Sequence, residues 1–236
     1  MRELRTLNFN AYSTILFDAD DTLFDFGAAE SYALRMLFSE LGLELTPEID
    51  AVYQEINKGL WKSLEQGSIT KKQLTDSRFA LLFERLGEHR DGPVLNERYL
   101  DHLAEGSTPF PCSEALCKAL YERGISLDIV TNGITRVQTS RLEKSILRPY
   151  IRNLFISEAV GAAKPSSVFF AYVLDAIPEK DLSKILLIGD SLSSDILGAN
   201  QAGLDSCWIS ASTLPADSPA HPTWQAASVE DLLKLL

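Results

Sequence analysis

The segment Tyr12–Phe26, YSTILFDADDTLFDF, decides the fold. Its apolar residues 15–17 predict a short buried strand, and the motif DADDT follows at once. Three carboxylates directly after a buried strand are costly unless positive charge lies among them. Because successive strand residues point to opposite sides, Asp18 and Asp20 can face the same way. Such a pair at the C-terminal end of a strand suits a hard cation such as Mg²⁺, although an acidic surface turn is the alternative.

The overall composition restricts the partners of the chain. The 236 residues are 45% hydrophobic and 23% charged, with a formal net charge of -11. This balance excludes a broad basic surface for a nucleic acid polymer, but it allows a small anionic substrate. The three cysteines, Cys112, Cys117 and Cys207, predict neither a disulfide framework nor a zinc site. The N-terminal MRELRTLNFN has no apolar leader and no run reaches membrane-spanning length, so we expect a cytoplasmic protein without membrane association.

The region that follows the first strand is predicted to be entirely helical. Apolar residues recur there at helical spacing as far as about Glu105, and no convincing strand interrupts them. The helices are expected at Ala28–Leu41, after the cap Thr46-Pro47, after a capping box at Thr70, and at Pro93–Ala104. An all-helical insert of this length indicates a small separate lid domain.

From Phe110 onward, strands alternate with helices. Strands are predicted at 12–17, 126–130, 154–157, 184–188 and 205–209, and helices at 113–123, 135–146, 166–176, 193–202 and 228–236. The last helix carries a Ser-x-x-Asp cap signal at Ser228, and 210–222 is expected to be a loop. This alternation predicts a parallel sheet with helices on both faces.

Further polar clusters follow the later strands. They are Thr131-Asn132-Gly133, Lys164 before a proline, and Gly189-Asp190 with Asp195. Each has an ordinary explanation by itself: an Asn-Gly turn, a solvated lysine, and a helix-capping aspartate. At one edge of a parallel sheet they would combine with the first cluster, the carboxylates holding Mg²⁺ and the lysine and threonine holding a phosphoryl group.

The four motifs DADDT, TN at 131–132, GAAKP and GDSLSSD, in this order, resemble those of the haloacid dehalogenase (HAD) superfamily. The resemblance implies an α/β fold: a Rossmann-like doubly wound parallel sheet core with an inserted all-helical (type 1) cap domain. The core would comprise residues 1–25 and 107–236, and the cap residues 26–106. Hinges are expected near 23–26 and 106–111.

The resemblance also implies roles for individual residues. Asp18 would be the nucleophile and Asp20 the general acid and base, with its pKa raised by apolar cover. Thr131, Asn132 and Lys164 would bind the phosphoryl oxygens. The Mg²⁺ ligands would be the Asp18 carboxylate, the Asp20 backbone carbonyl and Asp190. Asp195 would either bind the metal directly or support it through one of the other ligands.

Two positions bear on which member of the superfamily this is. The aspartate at Asp20 favours phosphate esters over haloacids, since a halide leaving group needs no proton. Asp21 stands where many members carry glycine, so the backbone is expected to need no positive φ there, with the side chain pointing away from the metal.

The segments DADDTLFDF, NKGLW at 57–61, GAAKP and SDILGANQAG resemble bacterial pyrimidine 5′-nucleotidases of this superfamily. That implies a monomer or small homo-oligomer that hydrolyses small-molecule nucleoside monophosphates. The alternatives are a phosphatase of sugar phosphates or phosphoglycolate, a β-phosphoglucomutase, and a phosphate-binding module without turnover. In the cap, Asn57, Lys58 and Trp61 either contact a base or only pack, and ordinary packing is expected for Phe24 and Phe26.

Overall fold

A computed structural model describes residues 1–236, and one six-stranded sheet lies at its centre. The strands are β1 Thr14–Phe17, β2 Ser126–Thr131, β3 Ile151–Ile156, β4 Ile185–Gly189, β5 Asp205–Ile209 and β6 Trp224–Ala226. Their order is β3-β2-β1-β4-β5-β6, and every neighbouring pair is parallel. This is the predicted doubly wound sheet, with the order reversing beside β1, where such sheets bind ligands.

Strand β1 is central because all its side chains are apolar or small and none reaches solvent. Ile15 and Phe17 face one side of the sheet, and Leu16 faces the other. Removing a side chain of this size from water contributes about 1.5–3 kcal/mol. The run ILF therefore anchors the strand that carries Asp18 between β2 and β4.

Helices cover both faces of the sheet. They are α5 Ser113–Glu122, α6 Thr135–Lys144, α7 Ser157–Val160, α8 Ser167–Ala176, α9 Leu197–Ala202 and α10 Val229–Leu233. One apolar core joins Leu116 of α5 and Leu232 of α10 to the Ile15 side of the sheet. The other joins Phe169 and Phe170 of α8 to the Leu16 side.

The chain divides into two units, Met1–Phe26 with Ser107–Leu236, and Gly27–Gly106. The second unit is built from α1 Phe26–Glu40, α2 Pro47–Glu65, α3 Lys71–Arg85 and α4 Gly92–Leu103. Thr46 caps α2 through the backbone N–H of Ile49, and Thr70 and Gln73 form a complete capping box on α3, as the sequence predicts.

The two chain segments that border the helical unit lie side by side in the first unit. The backbone N–H of Phe110 donates to the carbonyl of Leu23 at 2.9 Å, and that of Asp25 donates to Thr108 at 3.2 Å. Phe24 and Pro109 form an antiparallel bridge between these bonds. The chain therefore leaves and re-enters the sheet unit at one place.

Inside the helical unit, a buried carboxylate anchors a polar network. Glu30 accepts hydrogen bonds from Asn57 at 2.8 Å, Gln54 at 2.9 Å and Tyr53 at 3.3 Å. The buried Arg78 donates to the Asn57 carbonyl oxygen at 3.3 Å. Both ends of the Asn57 amide are therefore engaged in packing this unit.

Several local features differ from the sequence expectations. Strand β6 was not predicted, since its sequence WQA is short and follows a loop rich in Ser, Ala and Pro. Ser228 precedes α10 but makes no capping hydrogen bond through its side chain, so its cap signal was wrong. All three cysteines are free thiols, and none of the helices is both long enough and apolar enough to cross a membrane.

Candidate active site

Asp18 continues β1 beyond its last residue. Its backbone N–H donates to the carbonyl of Ile188 in β4 at 2.8 Å, which extends the parallel ladder by one residue. Its carboxylate is buried, accepting from Lys164 Nζ at 2.5 Å and from the Thr22 hydroxyl at 3.4 Å. Strand pairing thus fixes the backbone, and two donors fix the side chain.

Lys164 reaches Asp18 from the loop before α8. Its ammonium donates to Asp18 Oδ1 at 2.5 Å, Asp195 Oδ1 at 2.6 Å and the Val130 carbonyl at 2.7 Å, which uses all three protons. Burial alone would favour the neutral amine, but the charges of Asp18 and Asp195 hold the pKa of Lys164 above its usual range. The lysine is therefore a fully buried cation and not the solvated helix-end residue that was the alternative.

Asp18, Asp190 and Asp195 form an acidic triad whose ligand oxygens all lie within 4.8 Å of one another. Loss of solvent raises the pKa of Asp18 well above its ordinary value despite the attraction of Lys164. Loss of solvent, followed by repulsion from Asp195 and Asp21, raises the pKa of Asp190 to about 7. One lysine therefore does not fully neutralise three carboxylates.

A π-helical turn at Leu192–Ile196 positions Asp195. Asp195 Oδ2 accepts from the backbone N–H of Ser191 at 3.1 Å, and the Ser191 hydroxyl caps the turn through Ser194. A Cβ on Gly189 would lie 2.5 Å from the Asp195 carboxyl carbon, so glycine is needed for this close approach. Asp195 therefore points into the triad, and Ser191 takes the capping role that was its alternative.

The motif at 131–133 lies at the end of β2 and supports the lysine loop. The Asn132 side chain donates to the Lys164 carbonyl at 2.9 Å and accepts from the Lys164 N–H at 2.8 Å. The buried Thr131 hydroxyl accepts from the Gly133 N–H at 3.1 Å, which leaves its proton for another acceptor. Gly133 has no positive φ, so the primed Asn-Gly turn typical of hairpins does not form here.

Asp20 lies outside the triad, on the side of α6. Its two carboxylate oxygens are held by Arg141, as an ion pair, and by Gln138 Nε2 at 2.5 Å. The expected apolar cover is thus replaced by two polar donors. Sequence reasoning missed both residues, although their i, i+3 spacing places them on one face of α6.

The expectation that Asp21 needs no positive φ was wrong. Its φ is 58°, and its N–H donates to the Phe24 carbonyl at 2.9 Å, closing a tight turn after the strand. Aspartate tolerates this left-handed conformation better than most residues. Its exposed carboxylate still adds to the negative potential at Asp190.

Comparison with known proteins identifies the family that carries this arrangement. The family described as haloacid dehalogenase-like hydrolase matches residues 15–209, most of the sheet unit and all of the helical one. The chain belongs to the haloacid dehalogenase-like hydrolases. The sequence-based assignment to the HAD superfamily and its fold class is confirmed.

Three bacterial HAD relatives match almost the whole chain. The pyrimidine 5′-nucleotidase PynA of Streptococcus pneumoniae is 40% identical over 225 residues, covering 95% of each chain. The pyrimidine 5′-nucleotidase YjjG of Escherichia coli is 39% identical over 222 residues, covering 94% of this chain and 96% of its own. The HAD-hydrolase YfnB of Bacillus subtilis is 39% identical over 225 residues, covering 95% of each.

A crystal structure of YfnB bound to magnesium matches with a TM-score of 0.89, covering 95% of this chain and 98% of that one. The prediction of a HAD-type phosphatase is confirmed by the family match and by the two nucleotidases. The alternative of a phosphate-binding module without turnover is thereby set aside.

Proposed function

We propose that the chain is a Mg²⁺-dependent 5′-nucleotidase that hydrolyses pyrimidine nucleoside monophosphates through an aspartyl-phosphate. The observation that carries the chemistry is the acidic triad of Asp18, Asp190 and Asp195 sharing the one cation of Lys164. The substrate class is supported by the identity of about 40% to PynA and YjjG over nearly the full chain.

The donor set of the triad fits Mg²⁺. Three carboxylates supply hard oxygen ligands, and their excess negative charge over Lys164 is what a divalent cation would offset. Asp18, Asp190 and the Asp20 backbone carbonyl would hold the ion, with Asp195 in direct contact or behind another ligand. When bound, Mg²⁺ would supply positive charge beside the phosphoryl group, and the relative YfnB was crystallised with magnesium.

Asp18 is proposed as the nucleophile because its carboxylate is fixed at the edge of the sheet. One carboxylate oxygen would attack phosphorus, the phosphorus–ester oxygen bond would break, and Asp20 would give a proton to the departing alkoxide. Water would then attack the aspartyl-phosphate, Asp20 would take its proton, and Asp18 would leave as a carboxylate with release of phosphate.

Thr131, Asn132 and Lys164 are proposed to receive the phosphoryl oxygens. The Thr131 hydroxyl accepts from Gly133 and so can donate its own proton outward. Lys164 brings the charge that opposes the developing negative charge, and the Asn132 side chain holds the lysine backbone through two hydrogen bonds.

The helical unit Gly27–Gly106 is proposed to act as the cap. Its borders lie in the segments 23–26 and 106–111 suggested as hinges, and interdomain movement is described for YfnB. Closure would exclude water and shape the leaving-group pocket. Lys58, which is exposed, and Trp61, which is half-buried, are positioned on α2 of this unit.

A phosphatase panel tests the substrate class. We expect Mg²⁺-dependent phosphate release from UMP, dUMP and dTMP with kcat/KM at least about tenfold above glucose phosphates and phosphoglycolate, a preference of about 1.4 kcal/mol. Equal rates across the panel would contradict the nucleotidase proposal and leave a general phosphatase. Isomerised sugar phosphate in place of free phosphate would instead indicate a mutase.

The metal proposal predicts a pH-dependent stabilisation. Because the folded-state pKa of Asp190 is about 7 and its ordinary value is 3.8, the folded metal-free protein keeps a proton that the unfolded chain loses between these values. Rising pH therefore lowers the free energy of unfolding over that window. Mg²⁺ competes with this proton, so its stabilising effect should grow as pH rises through 7.

Thermal denaturation measures this effect. At pH 8, Mg²⁺ at about 100 times its Kd is expected to add about 2.7 kcal/mol and to raise Tm by roughly 5–10 °C. The rise should be smaller at pH 5.5 and absent in Asp190→Asn. An equal rise at both pH values, or in the variant, would contradict metal binding at the triad.

A further inference from the structure

Arg141 and Gln138, here named the Asp20 clamp, lie one turn apart on α6. Gln138 Nε2 donates to Asp20 Oδ2 at 2.5 Å, and the Arg141 guanidinium pairs with Asp20 Oδ1. The Arg141 side chain is fully buried, whereas that of Asp20 is 26% exposed. Both carboxylate oxygens thus have a fixed partner, and solvent still reaches the group.

Apolar and backbone neighbours hold the clamp in place. The Arg141 guanidinium carbon lies 5.2 Å from the centre of the Phe24 ring and 5.9 Å from that of Phe26. A Cβ on Gly133 would lie 2.3 Å from Gln138 Nε2, so the glycine provides the space for that amide. A buried guanidinium is costly without a carboxylate, so the clamp and Asp20 require each other.

The clamp holds the Asp20 carboxyl group through donors alone. A guanidinium has donors only, and the Gln138 nitrogen also donates, so each occupies an acceptor position on one Asp20 oxygen. Contacts to both oxygens therefore fix the orientation of the carboxyl group.

We propose that Arg141 and Gln138 are positioning residues that orient the Asp20 carboxyl group to take the proton of the attacking water. This rests on the proposed function, in which Asp20 serves as acid and then as base. In the second step, water bonds to phosphorus, its proton moves to Asp20, and the bond from phosphorus to Asp18 breaks.

The test separates the two steps with p-nitrophenyl phosphate, whose leaving group needs no proton. Gln138→Glu is nearly isosteric and replaces the donor with an acceptor, so Asp20 Oδ2 loses its fixed partner. We expect hydrolysis of the aspartyl-phosphate to slow by about 10–100-fold, a partial loss of the roughly 10²–10⁴-fold that general base catalysis supplies. A burst of nitrophenolate approaching one per site should then precede slow turnover, with kcat lowered and kcat/KM within about threefold of the wild type.

Arg141→Lys provides a second variant that keeps the positive charge but loses the planar guanidinium, and a smaller burst and a smaller fall in kcat are expected. Gln201→Glu, on the exposed face of α9, is the matched control and should behave as the wild type. Thermal melting of each variant shows whether the protein is folded under assay conditions.

Two outcomes would overturn the inference. One is wild-type kinetics in Gln138→Glu and Arg141→Lys, which would mean that the clamp does not act on Asp20. The other is an equal fall in kcat and kcat/KM without a burst, which would indicate a structural role only. Failure of the proposed function is distinct, because the wild type itself would then release no phosphate or Asp18→Asn would remain active.

Discussion

Replacing Asp18 with asparagine is expected to lower kcat/KM for UMP by on the order of 10⁴-fold or more, because an amide is a very weak nucleophile toward phosphorus. Fold and substrate binding should survive, since asparagine has nearly the same shape and can still accept from Lys164. Steady-state phosphate release and Tm measure the two effects. Acid-quenched wild-type enzyme should yield a covalent acyl phosphate that the variant lacks.

Asp21→Asn is the matched control for this substitution. It removes the same charge three residues away, at an exposed position whose φ of 58° asparagine also tolerates. Activity within about threefold of the wild type is expected, as for an ordinary surface change. Comparable losses in the two variants would show that net negative charge near β1 matters and not nucleophilic attack by Asp18.

Lys164→Met is expected to have the second largest effect, and it should act on both stability and turnover. Removal of the Lys164 ammonium leaves the buried Asp18 and Asp195 without their common cation. This is expected to lower the free energy of unfolding of the metal-free protein by about 3–5 kcal/mol. Loss of the positive charge at the phosphoryl group should lower kcat by about 10²–10³-fold. Urea denaturation and steady-state kinetics measure the two losses.

Magnesium distinguishes the two parts of the Lys164 effect. A divalent ion at the triad would offset part of the missing charge, so the stability loss should shrink in Mg²⁺ while the loss in kcat remains. Lys184→Met is the control, because Lys184 is exposed beside the opposite end of β4. If Lys164→Met and Lys184→Met melted alike, the central ionic cluster would not stabilise the fold.

The sheet was predictable because its signals are local. The apolar run 15–17 can only be buried, and the turn residues after each later strand mark where the chain reverses. The same holds for α2 and α3, whose caps Thr46 and Thr70 were read directly from the sequence. The convergence of polar residues at one edge then follows from the parallel geometry alone.

What was missed depends on contacts between distant segments. Arg141 looks like any basic residue at the end of a helix, and only the fold brings it to Asp20 across more than a hundred positions. The π-helical turn at Leu192–Ile196 leaves no sequence pattern, and the left-handed Asp21 is an uncommon use of a side chain where glycine is expected. β6 is too short for periodicity to be seen.

The paired segments that border the helical unit have an evolutionary consequence. Because Phe110 bonds to Leu23, and Asp25 to Thr108, the two ends of Gly27–Gly106 are joined before the insertion begins. The pairing of these two segments therefore does not depend on the insertion. The helices can be exchanged as a module. Under the cap role proposed for these helices, a lineage can acquire a new leaving-group preference by replacing that module while the residues proposed to handle phosphorus stay unchanged.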